Sequence, residues 1–421
     1  MSEQGSRLTS MGISRRRFIQ GTALAGVSAF IAACTGSTGK SAAPTAAESV
    51  APSVAPSVAP SASAAPATPK VVSGPLKWAN WTAYIDLSGA AGEAGEYKPG
   101  SSPTLEQFKK KYNVEVDYEE KIDDNPSFIQ TITPALVGGL PTGWDLMVLT
   151  DSFAGSLISK GWIEKIDHEN TPNCVANLRD ALRNQAWDPG NDFHYPWQSG
   201  MTGIGYSAKA LQSAGIAAPT KLADLWNIPG DKVTFLTEAR DTYGLTLLKL
   251  GITPDPAAVT TDDIQKATDD MKPLVDKGLR FTGNSYLQDF GQKKVWAAYV
   301  WSGDLASSGE PDDKFVFPEE GTMIWTDNML IPKGAVNKYT AELMMNFVYD
   351  PVVAAQIADY VFYVSPVNGA AEEIKKTDPA AATNPLLFPP PDIVAKQHNF
   401  QFLPADVEKK MLDDFATLQG V

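Results

Sequence analysis

Beyond residue 75 the chain alternates short apolar runs with longer stretches whose apolar residues recur every three or four positions. That alternation predicts strands and helices in turn. Leu76 to Ala79, apolar except for Lys77, reads as a strand, and a Gly/Glu-rich loop follows over Ile85 to Ser101. Ser102 and Pro103 suit the N-cap and first position of a helix to Tyr112, and Asn113 suits the left-handed stop before a strand over Val114 to Tyr118. Ser127 to Val137 reads as a helix interrupted by Pro134, Leu146 to Leu149 as an apolar strand, and Phe153 to Lys160 as a helix. Strand and helix in strict alternation imply a parallel sheet with sites at the C-terminal strand ends.

The second half repeats the grammar. Strands are expected at Ile204 to Ser207, Val233 to Leu236, Val295 to Trp301 and Thr322 to Ile331. Helices are expected at Thr220 to Trp226, Asp241 to Leu250, and Asp262 to about Asp276 with Thr261 as its cap. Three more cover Tyr339 to Tyr349, Pro351 to Val361 and Ala405 to Leu418, the last preceded by the break at Pro389, Pro390 and Pro391. The body from Gly74 to Val421 is long enough for two domains of an α/β class.

The N-terminal pattern is different in kind. Ser14-Arg15-Arg16-Arg17-Phe18-Ile19 resembles a twin-arginine export signal, and the apolar run Thr22 to Ala33 is too short to span a membrane. Ile31-Ala32-Ala33-Cys34 resembles a bacterial lipobox, in which cleavage leaves Cys34 as a lipidated N-terminus. From Thr35 to about Ser73 the chain repeats Ser-Val-Ala-Pro and then Ser-Ala-Pro, with no aromatics and almost no charge. Such a tract cannot bury enough surface to offset its ordering entropy, and its prolines favour an extended spacer of up to about 120 Å. These features predict residues 1–33 as signal, 34–73 as lipidated tether, and an extracytoplasmic body anchored to the membrane by lipid alone.

Charge and cysteine content narrow the partners. Removing residues 1–33 takes away four positive charges (Arg7, Arg15, Arg16, Arg17) and one negative (Glu3), so the net charge moves from −14 to −17. A chain this acidic has no electrostatic footprint for nucleic acid and favours cationic partners. With Cys34 lipidated, only Cys174 remains and no intrachain disulfide can form. His168, His194 and His398 lack metal-ligand spacing, no phosphate-binding or dinucleotide fingerprint occurs, and neither a metal nor a cofactor is expected.

Aromatics and acids gather at the expected strand ends. Trp81 and Tyr84 directly follow the first strand, where they either pack between domains or cover a ligand. Trp325 and Asp327 lie two apart on a strand and so share a face. A carboxylate beside an indole suits a bound cation through charge pairing and the ring face, although an edge-strand Asp in water would show the same spacing. Glu238 and Asp241 fall on one side of a helix start, where acids also complement the helix dipole. Trp301 ends its strand before Ser302-Gly303-Asp304 and either lines a cleft or packs under one.

In order and spacing these pieces resemble the spermidine/putrescine-binding subunits of ABC importers. The resemblance runs from Leu76 to about Asn368. It rests on Asn80-Trp81-Thr82 with Tyr84, Trp144-Asp145-Leu146-Met147-Val148, Gly161-Trp162-Ile163, Lys165-Ile166-Asp167, Ala223-Asp224-Leu225-Trp226, Glu238-Ala239-Arg240-Asp241, Trp301, Gly321 to Trp325 with Asp327, and Tyr363 with Ser365-Pro366. It implies a two-lobed α/β fold of the periplasmic-binding type, with chain crossovers and the ligand between lobes that close and then meet a permease. The implied divisions are 74–198 for lobe 1, 199–324 for lobe 2, 325–368 returning to lobe 1, and 369–421 completing lobe 2. The implied aromatic box is Trp81, Tyr84, Trp301, Trp325 and Tyr363, with Glu238, Asp241 and Asp327 around the amines and Thr82, Thr150, Ser152 and Gln401 as further contacts. Two departures bear on the far end of the ligand: Ala83 stands where an acid is usual, and Ser152-Phe153 replaces an aromatic pair. Glu93 or Glu96, on the long loop after Tyr84, could restore the missing charge.

The implied protein is a monomeric binding subunit with no catalytic residues. A sugar binder or a binder of another organic cation remains as an alternative, as does a secreted hydrolase using two of Glu238, Asp241 and Asp327. Against the sugar, the acids lack evident amide partners; against the hydrolase, no nucleophile and base stand paired.

Overall fold

The computed structural model describes residues 70–88, 97, 98, 100–308 and 310–420. The twin-arginine stretch, Cys34, the tether to residue 69, Glu93 and Glu96 lie outside the described residues.

Ten strands form one mixed sheet: β1 (Leu76–Trp81), β2 (Val116–Ile122), β3 (Leu146–Thr150), β4 (His194–Ser207), β5 (Val233–Leu236), β6 (Arg280–Thr282), β7 (Ala297–Trp301), β8 (Asp313–Val316), β9 (Thr322–Leu330) and β10 (Gln397–His398). Their order is β2-β1-β3-β9-β4-β7-β5-β6, with β10 beside β9 and β8 beside β4. Helices α1 (Pro103–Tyr112), α2 (Asn125–Val137), α3 (Asp151–Ser159) and α4 (Pro172–Asn177) accompany the first strands. Next come α5 (Ala208–Ser213), α6 (Ala239–Lys249), α7 (Thr261–Val275), α8 (Tyr286–Gly291) and α9 (Ser302–Ser308). The C-terminal part supplies α10 (Lys338–Val348), α11 (Pro351–Val361), α12 (Ala370–Thr377), α13 (Pro391–Val394) and α14 (Ala405–Gln419).

The expected parallel sheet is found in two sets, β2-β1-β3 and β7-β5-β6, and in the short pairing of β10 with β9. Between the two sets β4 and β9 run antiparallel to each other, with β9 antiparallel to β3 and β4 antiparallel to β7 and β8. One end of β9 (Asp327 to Leu330) pairs with β3, while Thr322 and Met323 at the other end pair with β10. These two strands are the crossovers between two α/β lobes, and Gly200 and Trp325 face each other in their ladder.

Local signals place the helices. The Ser102 hydroxyl accepts from the Leu105 amide at the start of α1, Asn113 stops it at φ 53°, and Asp350 caps α11 ahead of Pro351. Thr260, rather than Thr261, caps α7, in a reciprocal capping box with Asp263. Thr220 to Trp226 forms only a short 3₁₀ segment at Leu222–Asn227. β2 begins two residues later than expected and continues through Glu119, Glu120 and Lys121, because its outward face tolerates charge while pairing with β1 sets its length. In the first lobe Trp78 is enclosed edge-on by Tyr118 and Trp197, with centroids at 5.3 and 5.1 Å. In the second lobe α14 packs on α6 and α7. α12 packs on α11, which belongs with α1 and α10 of the first lobe.

The expected strand Ile204 to Ser207 is the tail of the 14-residue β4. Its first part was hidden by Pro196, where the register shifts, and by Gly200, Gly203 and Gly205, which weaken a strand signal. Gly200 has a packing reason: a Cβ there would lie 2.3 Å from Cζ2 of Trp325. Gly200→Ala should therefore lower stability by about 1–3 kcal/mol in denaturant unfolding and change tryptophan fluorescence. An unchanged midpoint and spectrum would contradict this account of the crossover.

Candidate functional site

The parallel strands deliver side chains to one place. Trp81 closes β1, Thr150 closes β3, Trp301 closes β7, and Glu238 stands two residues past β5. Trp325 and Asp327 come from the crossover strand β9, and Tyr363 follows Phe362, whose left-handed φ of 58° ends α11. Gln401 comes from the segment between β10 and α14. Together with Thr82, Tyr84 and Asp241 they line a cleft enclosing about 620 Å³, part of it open to solvent. Ser152 is the one candidate not in the wall; its buried hydroxyl has no hydrogen-bond partner among the described residues.

The rings are fixed by their polar edges, which leaves their faces to the cavity. The Trp81 indole N–H donates to Val148 O (3.1 Å), that of Trp301 to Asp241 Oδ2 (3.0 Å), and that of Trp325 to Thr202 Oγ1 (3.1 Å). Tyr363 meets Tyr84 edge-on at 5.4 Å and 85°, and lies 5.4 Å from Trp325. Its hydroxyl donates to Asp304 Oδ1 (2.8 Å), while Tyr286 donates to Asp304 Oδ2 (2.6 Å). Aromatic faces held this way suit a cation or its methylene chain.

The acids are taken out of water. Burial raises the pKa of Asp327 to about 7; hydrogen bonds from Thr150 (2.7 Å) and Tyr84 oppose the rise, and the Asp241 charge adds to it. Burial likewise raises Glu238 to about 7, with the Asp241 charge again adding. Asp241 rises to about 6 for the same reason, moderated by the Trp301 and Thr202 hydrogen bonds and by Arg240. Behind the wall, Asp151 rises to about 7 through burial, although the Asn328 amide donates to it (2.9 Å). Glu238 Oε1 and Gln401 Oε1 are buried acceptors without a hydrogen-bond partner among the described residues.

Sequence reasoning missed four wall residues: Phe153, Arg240, Asn284 and Asp304. Asp304 was within reach of the strand-end rule, since it begins a helix just past β7. Arg240 lies between two residues already chosen. Asn284, in a loop after β6, carried no signal. Arg240 is the only basic side chain in the described wall, and it is engaged: it pairs with Glu408 and lies over the Phe153 ring at 5.1 Å. At Ala83 (φ 52°) the backbone N–H donates to Glu120 Oε1 at 2.7 Å, so a carboxylate of β2 stands beside the position that lacks one. Among the described residues no group of three or more His, Cys, Asp or Glu could hold a metal ion, and no helix is long and apolar enough to cross a membrane.

Residues 104–388 match the model of the family described as bacterial extracellular solute-binding protein, and the chain belongs to that family. It is 29% identical over 320 residues to the spermidine/putrescine-binding periplasmic protein of Escherichia coli (strain K12), covering 75% of this chain and 83% of that one. It is 27% identical over 364 residues to the putrescine-binding periplasmic protein SpuD of Pseudomonas aeruginosa (strain UCBPP-PA14), covering 81% and 90%. Among solved structures, a putative spermidine/putrescine ABC transporter from Listeria monocytogenes superposes with a TM-score of 0.68 at 22% identity, over 82% of this chain and 98% of that one. The fold is that of the two-lobed solute-binding proteins.

Raised carboxylate pKa values make the empty protein sensitive to pH. A native-state pKa above the unfolded value means that the folded form binds the proton more tightly, so stability falls as pH rises from about 4 through about 7. Asp327→Asn removes one such group. Its unfolding midpoint in denaturant should fall less between pH 5 and pH 7.5 than that of the parent. An equal fall in both proteins would show that Asp327 ionises as freely folded as unfolded.

Proposed function

We propose that this solute-binding chain captures a polyamine between its lobes and delivers it to the permease of an ABC importer. One observation carries the reading: Glu238, Asp241 and Asp327 share a single cavity with Trp81, Tyr84, Trp301, Trp325 and Tyr363. An ammonium leaving water costs several kcal/mol unless it is paired and hydrogen-bonded, and three acids can meet two or three amines. The rings cover the methylene stretches and contribute roughly 0.5–2 kcal/mol per cation contact. Thr82, Thr150 and Gln401 complete the contacts, and Ser152 stands one layer behind. The relatives named for spermidine and putrescine binding support the same ligand class.

The lobes in this reading are 74–198 with the return at 325–368, and 199–324 with the C-terminal part. The packing of α12 on α11 favours putting the last crossing after α12 rather than at 369. Closure around the ligand excludes water and strengthens each pairing. The protein acts as a monomer outside the cytoplasm, exported by its twin-arginine signal and held by lipid at Cys34. It is a transport component rather than an enzyme, as the family match supports. With Ala83 lacking a side-chain acid and Glu120 already engaged by the Ala83 amide, a diamine is preferred over a triamine. Arg240 favours one second reading, a ligand that carries a carboxylate as well as an amine.

Calorimetric titration with putrescine, spermidine and γ-aminobutyrate separates these readings. Putrescine should bind most tightly, and Asp327→Asn should weaken it by ~2 kcal/mol or more. Tighter γ-aminobutyrate binding would favour the second reading, and no binding of either polyamine would overturn the assignment. For the anchor, Cys34→Ala should leave the protein unprocessed or released on membrane fractionation. Normal processing with retention at the membrane would refute the lipid site.

A further inference from the structure

Two locally unfavourable choices in this chain meet in space. Phe402 adopts a left-handed backbone (φ 55°), which is unfavourable for a bulky residue, and the residue remains 45% exposed. Gly155 stands inside α3, where glycine is less favourable than alanine. The Phe402 ring lies in a slot between them: a Cβ on Gly155 would be 2.7 Å from its Cε1. The ring also stacks on Trp187 at 5.9 Å and 30°, and Trp187 in turn lies 4.1 Å from the buried His194 ring at the start of β4. Alanine at 155 and an ordinary backbone at 402 would each be better locally, and each would abolish the contact.

The slot and the ring belong to different lobes. α3 and Trp187 pack with the core under β1 and β3, whereas Phe402 hangs between β10, which pairs with the second-lobe end of β9, and α14, which packs on α6 and α7. A second contact crosses beside it, the Arg240 guanidinium of α6 over Phe153 of α3. Phe402 does not line the cleft, but its neighbour Gln401 does.

We propose that Phe402 is an interlobe clasp: seated in the Gly155–Trp187 slot, it holds the lobes together in the absence of ligand and so raises affinity without touching the solute. The inference rests on the two-lobed binding reading, and on polyamine as the ligand only for its affinity arm. If the competent closed form is populated to a fraction f, apparent affinity scales with f, and a contact made only on closure raises it. The contact also carries Gln401 to the wall as the lobes meet.

The test uses the full mature chain with spin labels on exposed sites of each lobe, Val137→Cys on α2 and Lys272→Cys on α7, and reads the interlobe distance with and without putrescine. Phe402→Ala should lengthen and broaden the ligand-free distances, leave the putrescine-saturated distances unchanged, and weaken putrescine binding by about three- to tenfold. Gly155→Ala should act in the same direction although it favours the helix, and it should have no further effect once Phe402 is alanine. Ligand-free distances unchanged in both single variants would overturn the clasp, even if affinity fell, because the ring would then act only on Gln401. Failure to bind any polyamine would sink the substrate assignment and leave the distance measurement to decide the clasp.

Discussion

Carboxylates withdrawn from water around a single guanidinium, itself paired with Glu408, dominate the energetics of this cleft. Asp241 and Asp327 are buried in the wall of one cavity, Glu238 faces it, and Asp151 lies just behind. Burial raises all four, to about 6 for Asp241 and about 7 for the others. A site of this kind is destabilising while empty, because each charge is desolvated and the carboxylates repel one another, which Arg240 offsets only in part. A ligand that brings positive charge relieves both terms at once.

The fold supplies what such a site needs from its surroundings. Strand ends from both parallel sets project into one cleft, so neither lobe owns the site. The crossover strands β4 and β9 run through the junction and carry Trp325 and Asp327 there. Gly200 beneath the Trp325 ring lets the two strands approach closely where β4 and β9 pair. Thr150 from one lobe donates to Asp327 on the crossover, and Thr202 of β4 receives the Trp325 indole.

Much of this was legible in the sequence, for identifiable reasons. Strand-end positions are set by short apolar runs with sharp stops, so Trp81 and Trp301 could be found by pattern and Glu238 by its place at a helix start, whereas Thr150 came from the family resemblance. The period of two placed Trp325 and Asp327 on one face. The caps at Ser102 and Asn113 follow from backbone groups that need local partners. What escaped were features fixed by distant partners. The length of β4 depends on pairing with β9, which glycine and proline in its own sequence obscure. The antiparallel crossovers are set by topology that no local window contains. Asn284 and the Glu120 carboxylate beside Ala83 reach their places by tertiary packing, and Ser152 falls behind the wall because the first turn of α3 presents Phe153 instead.

In the polyamine reading a cation replaces protons on these carboxylates. Calorimetric titration of putrescine near pH 6.5, repeated in buffers of different ionisation enthalpy, measures that exchange directly. Proton release on binding is predicted, visible as an observed enthalpy that changes with the buffer, because the acids are partly protonated when the cleft is empty and ionised when it is filled. Tight binding with no proton release would contradict the claim, since the acids would then be ionised already and the cost of burying them would have been met some other way.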